Sequence, residues 1–413
     1  MSKPAKYAAL ILALCSLCFA VAVSSRTYIA TNQAVAKYTE RLPVYISSDN
    51  HVFVQARINH SAPLWFVLDS GASHLLINKR VAEALGLKFA GRSEAFGVGK
   101  GPVDVLVTDE ALVDVGQLCS FRKQLSALAL DTFETYFGRE VAGVIGYDLF
   151  SRFVVEIDYL HSTVTLHDPH GHHYAGAGQM LPLTFHGKLP EVEAVIKLPK
   201  REAVTGKFII DTGAHLAVAL NTPFVERNRL LESAARTISD PWSPGLSGEA
   251  KLLLARAQYL QLGQNTLDEP VIAFSQDREG SLARDSFDGV IGGELLRRFK
   301  VSFDYAQRRI ILEPNADLHR PYVYSTEMIG VGISAEGKDF RSFLAHRIVA
   351  GSPAAKAGLQ AGDVIAEIDG QTTGTLSLDQ LRQKLKQDKP QYLMTIKRGQ
   401  QTLPVRIKSE KVL

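Results

Sequence analysis

Cysteine is scarce in this sequence of 413 residues, and charge of one sign is not in excess. Two of the three cysteines, Cys15 and Cys18, lie inside an apolar run near the start, which leaves Cys119 for the folded part. A single cysteine cannot form an internal disulfide, so we expect Cys119 to be a buried and unreactive thiol. The 46 basic and 43 acidic residues nearly balance, which gives no reason to expect a nucleic-acid partner.

The sequence also lacks the short motifs of two large hydrolase classes. It has no Gly-x-Ser-x-Gly, the turn that presents a nucleophilic serine, and no His-Glu-x-x-His, the helical pair that binds a catalytic zinc ion. Both absences weaken the hypotheses of a serine hydrolase and of a zinc peptidase.

The first segment of the chain has the pattern of an export signal. Lys3 and Lys6 precede the apolar run at residues 7–23, and small residues at Ala20 and Ala22 predict cleavage after Ala22. Residues 1–22 would then be a signal peptide. The alternative is an uncleaved membrane anchor formed by residues 7–23, a run near the lower limit for spanning a bilayer. We expect an exported protein in either case, in contact with a membrane only if the segment stays uncleaved.

One nine-residue segment occurs twice. Residues 65–73 read WFVLDSGAS, and residues 207–215 read KFIIDTGAH. In each copy, an Asp follows strand-forming apolar residues and is itself followed by a small hydroxyl residue, Gly and Ala. A single Asp-Ser-Gly is ordinary turn chemistry, but Asp211 repeats the pattern of Asp69 after 142 residues.

A second element is repeated in the same order. Gly-Val-Ile-Gly occurs at residues 143–146 and 289–292, and each copy leads through Arg-Phe to an apolar-Asp-Tyr segment. Asp158 and Asp304 of these segments are interpreted as structural turn residues. Two elements repeated at nearly equal spacing indicate an internal duplication, and therefore two homologous lobes.

These matched elements resemble the aspartic peptidases over about residues 42–314. In that family, each half of the enzyme contributes an Asp-Thr/Ser-Gly triplet and, later in the sequence, an apolar-apolar-Gly triplet. Ala72 and Ala214, at the fourth motif position, are more similar to the retroviral type, whereas two lobes in one chain are more similar to pepsin. The resemblance implies a mainly β fold of two tandem retropepsin-like β-barrel lobes, at residues 42–168 and 180–316.

The resemblance implies that Asp69 and Asp211 are the catalytic pair of an endopeptidase that activates a water molecule. Two close carboxylates do not easily ionise together, so one keeps a proton while the other accepts a proton from water. The residues expected to support the pair are Ser70, Gly71, Thr212 and Gly213. Because Ala72 and Ala214 offer no hydroxyl to the carboxylates, we expect the enzyme to work nearer to neutral pH than pepsin.

The family also has a flap that closes over the substrate. FGVGKG at residues 96–101 lies at the matching place, and residues 244–254 lie at that place in the second half. A backbone rich in glycine can approach a peptide closely and still move. The residues predicted for the flap are Phe96, Gly97, Val98 and Gly99.

After residue 314, the sequence no longer repeats the elements of the two lobes. GVGI at residues 330–333 and SPAAKAGLQAGDVIAEIDG at 352–370 resemble a bacterial peptidase-type PDZ domain, an α+β domain that would cover residues 325–409. PDZ domains bind the C-terminal segment of a peptide as an added strand. The resemblance implies that the amides of Val331, Gly332 and Ile333 hold the terminal carboxylate. The alternative is a groove that the protein itself occupies, or a domain that only packs on the lobes.

Two histidine features depart from the family pattern. His215 follows the second motif, where we interpret it as structural, with a substrate contact as the alternative. The segment HDPHGHH at residues 167–173 has a composition that can bind metal, but it contains Pro and Gly and lies between the lobes. We interpret it as a solvated linker and predict neither a metal nor another cofactor.

The sequence thus favours an exported aspartic endopeptidase whose partners are peptide or protein substrates and, at the PDZ domain, peptide C-termini. Because the resemblance is to bacterial proteins, we place it in the periplasm. The alternative is a catalytically inactive adaptor that binds peptides with its cleft and PDZ domain. Retention of both Asp, both hydroxyl residues and both Gly in the duplicated motif favours the enzyme.

Overall fold

The computed structural model describes residues 38–240, 242–322, 329–387, 389–410 and 413. Its secondary structure is mainly β, which confirms the predicted fold class. The predicted signal peptide or anchor lies outside the described residues. Among the residues that are described, we find no helix with the length and apolar character needed to cross a membrane.

The first lobe is a curved sheet with short helices at its ends. Its strands are β1 (Thr39–Leu42), β2 (Val44–Ile46), β3 (Val52–Ile58), β4 (Leu64–Leu68), β5 (Leu76–Asn78), β6 (Phe89–Ala95), β7 (Val103–Val115), β8 (Cys119–Leu128), β9 (Gly143–Ile145), β10 (Val154–Asp158) and β11 (Thr163–His167). Its helices are α1 (Lys79–Ala84), α2 (Asp131–Phe137) and α3 (Tyr147–Phe150). Eight strands pair in the order β2-β3-β4-β9-β5-β8-β7-β6, and β3 also pairs with β7, which curls the sheet. Cys119 is buried as predicted, and burial raises the pKa of its thiol to about 12.

The second lobe repeats this plan. Its strands are β12 (Gln179–Pro182), β13 (Thr184–His186), β14 (Leu189–Lys197), β15 (Val204–Ile210), β16 (Val218–Leu220), β17 (Ile238–Ser239), β18 (Pro244–Gly245), β19 (Gly248–Glu249), β20 (Leu252–Arg256), β21 (Tyr259–Leu262), β22 (Asn265–Asp268), β23 (Val271–Ser275), β24 (Gly289–Ile291), β25 (Phe299–Asp304) and β26 (Arg309–Pro314). Its helices are α4 (Thr222–Arg227) and α5 (Gly293–Leu296), with 3₁₀ turns at Leu231–Ser233 and Ser281–Ala283. The main sheet runs β17-β20-β23-β16-β24-β15-β14-β21-β22.

A third sheet joins the lobes. Its order is β1-β11-β10-β25-β26-β12, so the strands of the duplicated apolar-Asp-Tyr segments, β10 and β25, pair with each other in antiparallel register. Most residues of these strands are buried, and one apolar core extends from the first lobe into the second. The shared sheet holds the two halves in a fixed relation.

The histidine-rich segment is not a wholly solvated linker, so this part of the prediction is wrong. His167 is the last residue of β11, its side chain is 18% exposed, and the ring of His172 lies 4.5 Å away between centroids. Burial and the neighbouring His172 lower the pKa of His167 to about 4. The third sheet, which joins the lobes, extends through β11 into the start of this segment and anchors it. In the described parts of the chain, no group of three or more His, Cys, Asp and Glu side chains is placed to hold a metal ion.

The C-terminal domain has its own sheet and its own apolar core. Its strands are β27 (Val331–Glu336), β28 (Ser342–Ile348), β29 (Val364–Ile368), β30 (Gln371–Thr372), β31 (Gln391–Arg398) and β32 (Gln401–Lys408). Its helices are α6 (Pro353–Lys356) and α7 (Leu378–Leu385), with a 3₁₀ turn at Thr373–Thr375. Ser377 and Gln380 form a capping box at the start of α7, and its leucines point into the core.

Candidate active site

The two duplicated elements are neighbouring strands in each lobe. β4 ends directly before Asp69 and runs parallel to β9, while β15 ends directly before Asp211 and runs parallel to β24. The Asp69 amide donates to Ile145 O at 2.9 Å, and the Asp211 amide donates to Ile291 O at 2.9 Å. Each later triplet therefore fixes the backbone at the point where the catalytic loop leaves its strand.

The final glycine of each later triplet is required by close packing. A Cβ on Gly146 would lie 2.3 Å from the carbonyl oxygens of Asp69 and Ala72. A Cβ on Gly292 would lie 2.6 Å from Ala214 O. Real side chains do not approach a carbonyl oxygen so closely, and this contact explains why Gly recurs after Val-Ile.

The structure brings Asp69 and Asp211 together, with each carboxyl packed on the glycine of the other motif. A Cβ on Gly71 would lie 2.5 Å from Asp211 Cγ, and a Cβ on Gly213 would lie 2.4 Å from Asp69 Cγ. The Gly213 amide also donates to Asp211 Oδ1 at 2.7 Å. Any larger residue at either glycine would displace a carboxylate of the pair.

The two hydroxyl residues of the motifs cross between the lobes. Ser70 Oγ donates to Ile210 O at 2.7 Å, and Thr212 Oγ1 donates to Leu68 O at 2.7 Å. In return, the Ser70 amide donates to Thr212 Oγ1 and the Thr212 amide donates to Ser70 Oγ, both at 3.0 Å. Ser70 and Thr212 are fully buried. These bonds lock the two motif loops at a fixed distance, as the resemblance implied.

Burial changes the acidity of the pair. Desolvation raises the pKa of Asp69 well above its usual value, and the negative charge of Asp211 raises it further. Desolvation also raises the pKa of Asp211, although its hydrogen bonds with Asp69 and with the Gly213 amide oppose the rise. The pair therefore retains a proton at pH values where a free carboxyl group has lost it.

Asp158 and Asp304 hold turns, as predicted. Asp158 accepts from the His161 amide at 3.0 Å, and Asp304 accepts from the Gln307 amide at 3.1 Å and from Arg309 Nε at 2.9 Å. Neither residue belongs to the pair formed by Asp69 and Asp211.

The predicted flap is the turn of the hairpin formed by β6 and β7. Its tip meets the smaller hairpin of β18 and β19 from the second lobe. The Ser247 amide donates to Val98 O at 3.1 Å, and the Lys100 amide donates to Ser247 O at 3.2 Å. Gly99 has φ of +122°, a conformation that favours glycine, and a Cβ there would lie 2.6 Å from the Ser247 carbonyl carbon. The two flaps thus touch, as the duplication suggests.

The remaining predicted flap residues flank this contact. Phe96 is 52% exposed, with the Arg284 guanidinium 4.5 Å from its ring centroid. Gly97 O accepts from the Ser281 amide of the second lobe at 2.9 Å.

The turn between β2 and β3, residues 47–51, which we name the 47–51 loop, has a role at the site that its sequence pattern does not indicate. His51 Nε2 lies 3.1 Å from Gly213 O, and Asn50 Nδ2 donates to Glu294 Oε2 at 2.9 Å. The loop therefore supports the second motif loop from the first lobe. It carries no family motif, and a positive φ of 67° at Asn50 is its one unusual local feature.

His215 lies in an aromatic cluster beside this loop. Its ring centroid is 6.2 Å from that of His51 and 5.9 Å from that of Tyr136. Burial lowers the pKa of His215, against the opposing charges of Asp240 and Asp49. The packing favours the structural interpretation of His215.

The residues predicted to hold a peptide carboxylate, Val331, Gly332 and Ile333, form the first half of β27, and all are buried. They belong to the C-terminal domain and lie apart from Asp69 and Asp211 along the chain.

Comparison with known proteins supports the predicted aspartyl protease and PDZ domains. Residues 54–149 match the family model described as aspartyl protease, and residues 346–398 match the model described as PDZ domain. No curated protein matches the chain.

Proposed function

We propose that this chain, which combines an aspartyl protease domain with a PDZ domain, is an exported aspartic endopeptidase. The observation that carries the proposal is the crossed arrangement of the two motifs. Each glycine faces the carboxyl of the other motif. Four buried hydrogen bonds hold that arrangement: two join Ser70 and Thr212 to each other, and two join each of these residues to the strand of the opposite lobe. A scaffold that only binds peptides has no need of a fixed pair of carboxyl groups.

The chemistry follows from the shared proton. The ionised carboxyl of the pair removes a proton from a water molecule, whose oxygen attacks the carbonyl carbon of the scissile bond. The protonated carboxyl donates its proton to the carbonyl oxygen. The C–N bond then breaks as the amine takes up a proton from the first carboxyl, while a hydroxyl of the tetrahedral intermediate returns a proton to the second. Fixed carboxyl positions matter because errors of about 1 Å in such geometry can cost roughly 100-fold in rate.

The flaps and the PDZ domain define how a peptide is held. The two hairpins that meet at Val98 and Ser247 cover the cleft and exclude water from it when closed. The PDZ domain would bind the C-terminus of a substrate or of a regulatory peptide. Export depends on residues 1–22 acting as a signal.

Cleavage of a peptide pool with free C-termini tests the proposal. The chain from Val23 is incubated with the pool from pH 3 to pH 8, beside Asp69→Asn and Asp211→Asn, and products are read by mass spectrometry. We expect internal cuts by the wild type and none by either variant, because each variant removes one of the two proton-transfer groups.

Thermal unfolding of the variants controls for loss of fold. Cuts that persist in either variant would contradict the assignment of the pair. An optimum at or below about pH 3 would contradict the expectation drawn from Ala72 and Ala214.

A further inference from the structure

The groove of the PDZ domain is covered. β27 is the edge strand of the PDZ sheet among the strands that the structure describes. An edge strand usually leaves one side of its backbone open, and peptides add there. Here, five consecutive residues of the strand, 331–335, are buried. Another part of the chain therefore covers this edge.

Helix α2 of the first lobe forms the cover. Gly138, directly after α2, fits between the two walls of the groove: a Cβ there would lie 2.6 Å from Leu378 Cβ of α7 and 3.4 Å from Ala335 Cβ of β27. The Arg382 guanidinium from α7 lies 4.7 Å from the Tyr136 ring centroid of α2. Arg382 Nη2 also donates to Ile333 O at 3.1 Å, which occupies a carbonyl of the edge strand.

Ion pairs with the 47–51 loop hold α7 in this position. Asp49 Oδ2 lies 2.7 Å from Arg382 Nη1, and Asp49 Oδ1 lies 3.5 Å from Lys386 Nζ. Asp379 accepts from the Ser48 amide at 2.9 Å and from Ser48 Oγ at 2.6 Å. Asp49, Asp379 and Arg382 are buried, so their separation would leave charged groups without partners in a poorly solvated place.

The PDZ domain also holds the second flap. Glu249, the last residue of β19, lies 3.1 Å from His346 Nε2 and pairs with Arg347, both on β28. The His346 ring stacks on Trp242 with centroids 4.1 Å apart. Because the tip of this hairpin bonds to Val98 of the first flap, the docked PDZ domain restrains both hairpins in contact with each other.

We propose that α2 is an internal ligand of the PDZ groove, that the docked chain is a latent enzyme, and that a peptide C-terminus which displaces α2 releases the flaps. The catalytic pair survives this release because its supports, Ser70, Gly71, Thr212 and Gly213, all come from the lobes. The latency rests on the proposed peptidase function, whereas the occupied groove does not. A peptide bound in the PDZ groove would thus act on the flaps, because the PDZ domain contacts the second flap in the docked state and not in the released state.

A disulfide that locks the docked state gives the first test. The 3.4 Å separation of a Gly138 Cβ from Ala335 Cβ is close to the Cβ–Cβ distance of about 3.8 Å in disulfides, so Gly138→Cys with Ala335→Cys should cross-link when it is oxidised with α2 in the groove. Because the new Cβ also meets Leu378 Cβ, the reduced form is an opened state and the oxidised form a closed state of the same protein. The native Cys119 is buried away from the oxidant.

A wedge that opens the docked state gives the second test. Gly138→Asn places a side chain against Leu378 while keeping a residue that tolerates the left-handed φ of +65°. Gly86→Asn is the control, because Gly86 has φ of +69° after α1 and no atom lies within 4 Å of its Cβ position.

Peptide binding is measured on full chains that also carry Asp69→Asn, so the probe stays intact. The probe is a fluorescein-labelled decapeptide pool ending in Val, Leu or Phe with a free carboxylate, and the same pool with amidated C-termini is its control. We expect the oxidised lock to bind the free-acid probe at least about tenfold more weakly than its reduced form. The Gly138→Asn wedge should bind it about tenfold more tightly than the wild type or Gly86→Asn.

Activity is measured on an amidated substrate, which has no carboxylate for the groove. The free-acid probe should raise kcat/KM of the wild type about tenfold, and the amidated probe should not. The oxidised lock should not respond, and Gly138→Asn should be active without the probe.

Equal probe binding by the oxidised and reduced lock, or no binding by any form, would overturn the internal ligand. Cleavage that ignores the probe and the wedge would overturn the latency. If binding follows the expected order but no form cleaves any peptide, the peptidase function fails and the occupied groove stands.

Discussion

Thr212→Val removes one hydroxyl from the crossed hydrogen bonds and leaves a side chain of nearly the same shape. The hydroxyl donates to Leu68 O at 2.7 Å and accepts from the Ser70 amide at 3.0 Å, and Thr212 has no exposed surface. Val therefore leaves one buried carbonyl and one buried amide without partners. Each such group costs about 1–3 kcal/mol, so we expect the free energy of unfolding to fall by roughly 2–6 kcal/mol.

Thr212→Ser is the matched control. It keeps the hydroxyl and loses a methyl group, which should cost about 1 kcal/mol through lost burial and a small cavity. The two variants thus separate the hydrogen bonds from the packing. The difference between them should be at least about 1 kcal/mol.

Urea unfolding followed by tryptophan fluorescence measures the effect. The two tryptophans of the sequence, Trp65 and Trp242, both belong to the lobes, and because Trp242 also stacks on His346 of the PDZ domain, the signal reports unfolding of the lobes together with loss of PDZ docking. The midpoints are compared only where the slopes of the transitions agree, because a changed slope means that the unfolding process itself has changed. A Val variant within about 0.5 kcal/mol of the Ser variant would refute the structural role of the crossed bonds. In the cleavage assay, Val should lower kcat/KM much more than Ser, since the motif loops lose their fixed distance.

Two further predictions concern the pair and the flap. Burial raises the pKa of Asp69 in the folded state above its value in the unfolded chain, which is about 3.9. The protonated carboxyl therefore stabilises the fold fully below about pH 3.9, and this stability is lost as the pH rises through the raised pKa. The Asn side chain of Asp69→Asn is neutral at every pH, so the urea midpoint of this variant should exceed that of the wild type at pH 7 and approach it at pH 3. Asp109→Asn, at an exposed position, should not change the urea midpoint in this way. An equal effect of Asp69→Asn at both pH values would contradict the raised pKa. Gly99→Ala should lower kcat/KM about tenfold, because its φ of +122° and the 2.6 Å approach to Ser247 leave no room for a methyl group. Gly91→Ala in the same hairpin, where no atom lies within 4 Å of the Cβ position, should leave it unchanged, and similar losses in both variants would contradict the flap contact.

The sequence by itself identified the pair Asp69 and Asp211 and the residues that support it. The pair could be found because the duplication repeats a short local pattern, in which an Asp, a hydroxyl residue and a Gly directly follow an apolar strand. The later Gly-Val-Ile-Gly segments were equally readable, since Gly146 and Gly292 admit no side chain beside the motif loops. The mainly β class followed from the family resemblance that these motifs carry.

Only the tertiary structure decided where the PDZ domain docks on the lobes. The bond from Ser48 to Asp379 joins residues 331 positions apart, and neither residue has a distinctive local pattern. Asp49 and Arg382 read as ordinary surface charges until the fold buries them against each other. Gly138 also has no distinctive local pattern, and its closeness to Leu378 and Ala335 depends on how the first lobe and the PDZ domain, each with its own apolar core, dock. Such contacts depend on the positions of whole domains in space, which a local sequence pattern does not encode.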